Sequence, residues 1–142
     1  MKYLLDTCIL SELIKPTGNT AVRDTIAKID GAQLFISVVT VGEIAKGIFL
    51  LPHTRKRKHL SDWLLGVETS FASRILPYDK DTAIAWGEMT ARAKQQGRTL
   101  PAIDGIIAAT ALQHGLHIMT RNVKDFEPSG VPVVNPWERT GH

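Results

Sequence analysis

Asp6 ends the short apolar run Tyr3-Leu4-Leu5, where a first buried strand should stop, and three more acids have comparable placements. Glu43 opens the segment after Leu34-Phe35-Ile36-Ser37-Val38-Val39, Asp104 opens the stretch from Ile106 to Leu112, and Asp125 follows His117-Ile118-Met119-Thr120 by a short turn. In an open parallel sheet the carboxyl ends of the strands line one crevice, and ligands bind there. Acids drawn from the whole length of the chain are therefore expected to meet at one edge of the fold. Carboxylates crowded together raise one another's pKa, and a divalent cation removes the repulsion. Oxygen donors without histidine or cysteine suit Mg2+ or Mn2+ rather than Zn2+. Such an ion supports hydrolysis of a phosphodiester by activated water, with no protein nucleophile required.

Each acid also has a purely local explanation. Asp6 could cap the helix that follows it. Thr40-Val41-Gly42-Glu43 has the spacing of a capping box, in which threonine and glutamate bond each other's backbone amides. Asp104 lies near a helix start, after Pro101-Ala102-Ile103, where the macrodipole favours negative charge. Asp125 sits in the turn Thr120-Arg121-Asn122-Val123-Lys124-Asp125, in which Asn122 offers a competing oxygen. A cap needs only its own helix, whereas a shared cation needs all four acids to converge.

Other chemistries are less well supplied. Cys8 is a nucleophile by type, but no histidine lies near it in sequence, and a small buried side chain is the simpler reading. His114 and His117 could reach one metal, yet the intervening Gly115 is expected to end a helix and leave them on the surface. Ser11 and Glu12 form either a polar helix face or a contact to substrate near Asp6. No glycine loop with nucleotide-binding spacing follows a strand.

Helical and extended patterns alternate along the chain, which predicts an α/β domain with a mainly parallel central sheet flanked by helices. Strands are expected near residues 2 to 5, 34 to 37, 75 to 77, 116 to 119 and 132 to 134. Apolar residues recur at helical spacing in 8 to 15, 20 to 30, 41 to 51, 55 to 72, 79 to 96 and 103 to 114. Pro16-Thr17-Gly18-Asn19, Leu51-Pro52-His53 and the segment from Gly97 to Pro101 punctuate them. The helices at 41 to 51 and 55 to 72 read as a hairpin whose Phe49, Leu50, Leu60, Trp63, Leu64 and Leu65 share an apolar face, for ordinary core packing or as a partner surface.

A chain of 142 residues, 44% hydrophobic and 22% charged, fits one domain over residues 1–142 with a substantial core. Its single cysteine forms no internal disulfide, and neither a signal peptide nor an apolar run of membrane-spanning length is present, so the cytoplasm is the expected compartment. Formal charge is +3 and the sequence pI near 9.2. If acids lie beneath metal, the remaining surface is more basic still and favours polyanions. Arg55-Lys56-Arg57-Lys58, Arg92 with Lys94 and Arg98, and Arg121 with Lys124 carry that charge, although short basic runs are also common on solvated helix faces.

Leu4-Leu5-Asp6-Thr7, Thr40-Val41-Gly42-Glu43-Ile44, Ala102-Ile103-Asp104-Gly105-Ile106-Ile107-Ala108-Ala109-Thr110-Ala111 and Thr120-Arg121-Asn122-Val123-Lys124-Asp125-Phe126 resemble, in order, the four motif regions of PIN-domain ribonucleases, specifically the VapC-like toxins of toxin–antitoxin pairs. The ending Asn135-Pro136-Trp137 is also similar, so the resemblance covers nearly the whole chain. It implies a Mg2+- or Mn2+-dependent endoribonuclease, a homodimer, and inhibition by a cognate antitoxin inserted into an acidic groove. Asp6, Glu43 and Asp104 carry over as catalytic, metal-binding acids, with the fourth position at Asp125 or at Asn122. Thr120 resembles a small hydroxyl residue that orders water near the metal, and Thr7, Ser11 and Asn122 are further polar neighbours of the acids. Many relatives have asparagine where this chain has Cys8. Two other readings stand beside this one. A phosphatase for a small phosphorylated substrate also places aspartate after its first strand, but needs a second aspartate where Cys8 stands. A non-catalytic module would bind RNA or a partner without turnover.

Overall fold

The computed structural model describes residues 1–138. In chain order its elements are β1 (Tyr3–Leu5), α1 (Thr7–Ile14), α2 (Thr20–Ala27), β2 (Leu34–Ser37), α3 (Val38–Phe49), α4 (Arg55–Phe71), β3 (Ile75–Leu76), α5 (Lys80–Gln95), α6 (Ala102–His114), β4 (His117–Met119), α7 (Val123–Phe126) and β5 (Val133–Val134). All strand pairs are parallel and the sheet order is β3-β2-β1-β4-β5. The alternation expected from sequence is therefore present, with shorter strands and ends shifted by a few residues.

Successive strand residues point to opposite faces of the sheet, and this builds two cores. Leu4 and Ile118 pack with Met89, Ala93, Leu100, Ile107, Ala108, Ala111 and Phe126 under α5, α6 and α7. Leu5, Ile36 and Met119 pack on the other face with Ile9, Leu10, Ile44, Ile48 and Val67 from α1, α3 and α4. Helix α6 is apolar on nearly all sides and buries Gly105, Ile107, Ala108, Ala109, Thr110 and Ala111, as a helix in the interior must. It ends at Gly115, whose φ of 65° is the left-handed cap that only glycine adopts without strain.

The expected shared face of α3 and α4 is only half realised. Leu60, Trp63 and Leu64 pack on the core, but Phe49, Leu50 and Leu65 are 71%, 76% and 60% exposed. Phe49 stands at the end of α3, past the reach of the sheet, and the Arg57 guanidinium lies 5.6 Å from its ring centroid. The two helices and an apolar hollow lined by Ile48, Phe49, Leu64 and Leu65 leave this part of the hairpin unfilled.

Gly105 lets α6 approach α5. A Cβ there would stand 2.9 Å from Trp86 Nε1, 3.0 Å from Trp86 Cδ1 and 3.3 Å from Leu100 Cδ2. Alanine favours a helix by up to about 1 kcal/mol, but overpacking costs about 1–3 kcal/mol. The rigid, interior edge of Trp86 makes the second effect prevail. Gly105→Ala is therefore expected to lower stability by about 1–2 kcal/mol, read as a reduced urea midpoint at unchanged slope.

Candidate active site

The sheet order places β1 between β2 and β4, so the chain winds outward from β1 in one direction and returns to continue in the other. Between β1 and β4 lies the switch point at which ligands of open α/β sheets bind. Asp6 leaves the end of β1 there, and Thr120 leaves the end of β4. Their side chains close the gap: Thr120 Oγ1 donates to Asp6 Oδ2 at 2.8 Å. The other carboxylate oxygen, Asp6 Oδ1, accepts the Thr7 amide at 2.8 Å. Asp6 thus caps α1, and the local explanation holds alongside convergence. Its 5% exposure leaves the carboxylate with no substantial contact with bulk water.

Thr7 carries the network to the third element, because its hydroxyl donates to Glu43 Oε1 at 2.7 Å. The capping box proposed for Glu43 does not form. Ser37 caps α3, accepting the Val39 amide at 3.0 Å, so Glu43 lies one and a half turns inside the helix. Thr40 Oγ1 is buried without a hydrogen-bond partner among the described residues.

Asp104 stands in the first turn of α6 and Asp125 in the first turn of α7, a short helix where the sequence indicated only a turn. Burial pushes the Asp104 carboxyl up to about 6, and the charges of Asp6, Asp125 and Glu43 push in the same direction. The charges of acids from three other stretches of the chain therefore bear on Asp104. Among the described residues none of them is ion-paired, and no three His, Cys, Asp or Glu side chains already close into a coordination shell. Mutual electrostatic reach is a looser relation than ligation. The donor set, carboxylate oxygens under repulsion with no internal cation to offset it, fits a hard divalent ion.

Two open hollows each take in one of the acids. One, of about 400 Å³, is lined by Glu43, Lys46, Gly42 and Ile103, and the other, of about 370 Å³, by Asp125 with Arg121, Asn122 and Lys124.

A PIN domain model matches residues 3–127. The chain belongs to the PIN-domain family. Curated relatives of this PIN domain include VapC ribonuclease Y4jK of Sinorhizobium fredii, 37% identical over 139 residues that span 95% of this chain and 97% of the relative. Toxin FitB of Neisseria gonorrhoeae is 36% identical, covering 94% and 97%. Among solved structures, FitAB bound to the IR36 DNA fragment contains a chain that superposes with a TM-score of 0.93 at 34% identity, covering 99% of both chains.

Within this PIN fold Cys8 is half-buried and its thiol is raised, chiefly by burial, which opposes a nucleophilic role. Its Sγ lies 3.8 Å from Asp6 Oδ2 and 3.5 Å from Thr120 Oγ1, and it accepts the Arg121 amide at 3.5 Å. Cys8 thus joins α1 to the segment after β4. Ser11 makes no hydrogen bond to the acids among the described residues, and its neighbour Glu12 is occupied by the Asn19 amide at 2.9 Å and Lys15 at 3.1 Å. Asn122 donates its backbone amide to Thr120 Oγ1 at 3.0 Å. His114 and His117 do not share a site: His117 lies on β4 with its ring 6.2 Å from that of Tyr3. The stacking of Arg121 on Trp137, at 5.4 Å, is the feature sequence reading missed; the only signal was an aromatic at the end of the last motif.

Thr120 is fully buried and serves two partners at once. Thr120→Val keeps the shape but leaves Asp6 Oδ2 and the Asn122 amide unpaired, which is expected to cost about 1–3 kcal/mol. Thr120→Ser, which retains the hydroxyl, should recover most of that loss in urea unfolding.

Proposed function

We propose that this chain is a single-domain, metal-dependent endoribonuclease over residues 1–142, the toxin of a toxin–antitoxin pair, whose catalytic and metal-binding acids are Asp6, Glu43, Asp104 and Asp125. The observation that carries this reading is the network that ties Asp6 to Thr120 across the switch point and Glu43 to Thr7 beside it, near enough to Asp104 that its carboxyl is raised by burial and by the charges of Asp6, Asp125 and Glu43. The relatives named VapC ribonuclease and Toxin FitB support the activity and the toxin role. The structural likeness to a FitAB complex supports a cognate antitoxin as partner, and a homodimer is part of the same proposal. No helix among the described residues is long and apolar enough to cross a membrane.

Asp6, Glu43, Asp104 and Asp125 would hold a divalent cation, Mg2+ or Mn2+ by the hardness of their oxygen donors. When bound, such an ion supplies Lewis acidity that strengthens water as a nucleophile and offsets charge on the phosphodiester. The chain's own residues fix the geometry. Thr120 and the Thr7 amide hold Asp6 from both carboxylate oxygens, and Thr7 orients Glu43. Asp104, whose carboxyl burial and the neighbouring acids raise to about 6 in the metal-free protein, would give up its proton to hold the ion. Asp125 supplies the fourth charge, and Asn122 lies beside it on the rim of the same hollow.

The phosphatase alternative finds no support, because Cys8 occupies the position where a second aspartate is needed. Purified protein with Mg2+ or Mn2+ is expected to cut RNA and leave 5′-phosphate ends. A chelator should stop cutting completely, and either ion added in excess should restore it. RNA binding without turnover in both ions would favour a non-catalytic module and overturn this reading.

A further inference from the structure

We propose that the hollow beside Asp125 is a nucleobase subsite, which holds one unpaired base of the RNA on the plane of the Arg121 guanidinium. This rests on the ribonuclease reading and specifies where that substrate is gripped. At about 370 Å³ the hollow is of small-ligand size. The Arg121 guanidinium carbon lies over the Trp137 indole, 5.4 Å from its centroid, a cation–π contact that restrains the guanidinium in the lining of the hollow. Unpaired RNA bases are recognised in this way, by stacking on aromatic or arginine planes and by hydrogen bonds to their edges.

Donors and acceptors for those edges are present. The Asn122 side-chain amide makes no hydrogen bond among the described residues, while its backbone is fixed on Thr120 Oγ1 at 3.0 Å. Asn135 Oδ1 accepts the Trp137 amide at 3.0 Å, so its NH2 remains to donate.

Arg121 and Lys124 share the lining with Glu138 and with Asp125, which sets the hollow directly beside the acids. The Arg121 amide donates to Cys8 Sγ at 3.5 Å, two residues from Asp6, so the backbone that carries Arg121 is tied to the end of β1 that carries Asp6.

The test uses the Asp104→Asn protein, to bind without cutting, and short single-stranded RNAs carrying 2-aminopurine at each position in turn. Binding should quench one position. Arg121→Lys, which keeps charge but loses the plane, should weaken binding about tenfold, within the range for loss of one base-stacking partner, and abolish that quench with the salt dependence unchanged. Lys124→Gln should keep the quench and lower the salt slope by about one. Unchanged affinity and quench in Arg121→Lys would overturn the subsite, and cutting by the otherwise unmodified protein would then leave the ribonuclease reading intact. Failure of the unmodified protein to cut any RNA in Mg2+ or Mn2+ would overturn the reading on which the subsite rests.

Discussion

Asp104→Asn is expected to lower RNA cleavage about 1,000-fold or more while leaving a folded protein. A metal ion contributes several kcal/mol of charge stabilisation to the transition state, and each 1.36 kcal/mol is about tenfold in rate. Loss of one anionic ligand at the point where all four acids act therefore removes about three powers of ten. The fold should not suffer. Asparagine has nearly the same shape, and the charge it removes is opposed by burial and by Asp6, Asp125 and Glu43. Far-ultraviolet circular dichroism and urea unfolding should match or exceed the unmodified protein without metal. Cleavage within tenfold of the unmodified rate would remove Asp104 from the proposed metal site.

Stabilisation by Mg2+ or Mn2+ should itself depend steeply on pH. The folded Asp104 carboxyl, at about 6, lies above its ordinary value of 3.8, so between those values the native state binds more protons than the unfolded chain. In metal-free protein this group favours folding below pH 4, and that contribution is lost as pH rises through about 6. The ion needs the deprotonated form, so its affinity moves in the opposite direction and binding releases a proton. An ion at 100 times its Kd adds about 2.7 kcal/mol, which for a chain near this size is roughly a 10 °C rise in Tm. That rise should be nearly complete at pH 7.5, about half as large at pH 5, where protonation of Asp104 weakens the ion about tenfold, and largely absent in Asp104→Asn at both. Equal melting with and without saturating ion at pH 7.5 would count against a shared cation site.

How much of the site was legible in the chain can be judged residue by residue. Asp6 and Asp104 were readable because each directly follows a pattern with a clear end, an apolar strand in one case and Pro101 before a buried helix in the other. Glu43 was visible as an acid near a helix start but was assigned the wrong local partner. Thr40 and Glu43 have capping-box spacing, yet helix α3 begins at Val38, capped by Ser37. A serine inside an apolar run gives no signal of the helix start until the strand pairing fixes where β2 ends. The exposure of Phe49, Leu50 and Leu65 was hidden for a similar reason: periodicity shows which residues share a helix face, but not how far the sheet beneath that face extends.

By itself the sequence determined the alternation of strands and helices, the positions of the acids along it, and the PIN-like order of its motifs. These depend on hydrophobic period and on local signals, which are written in neighbouring residues. Only the tertiary structure decided that Thr120 bridges to Asp6 across the switch point, that Thr7 joins Glu43, and that the Arg121 guanidinium lies over Trp137. Those contacts span 114, 36 and 16 residues, and no local pattern specifies them. They exist because two opposed cores lock the parallel strands in register and so bring the ends of β1 and β4 together.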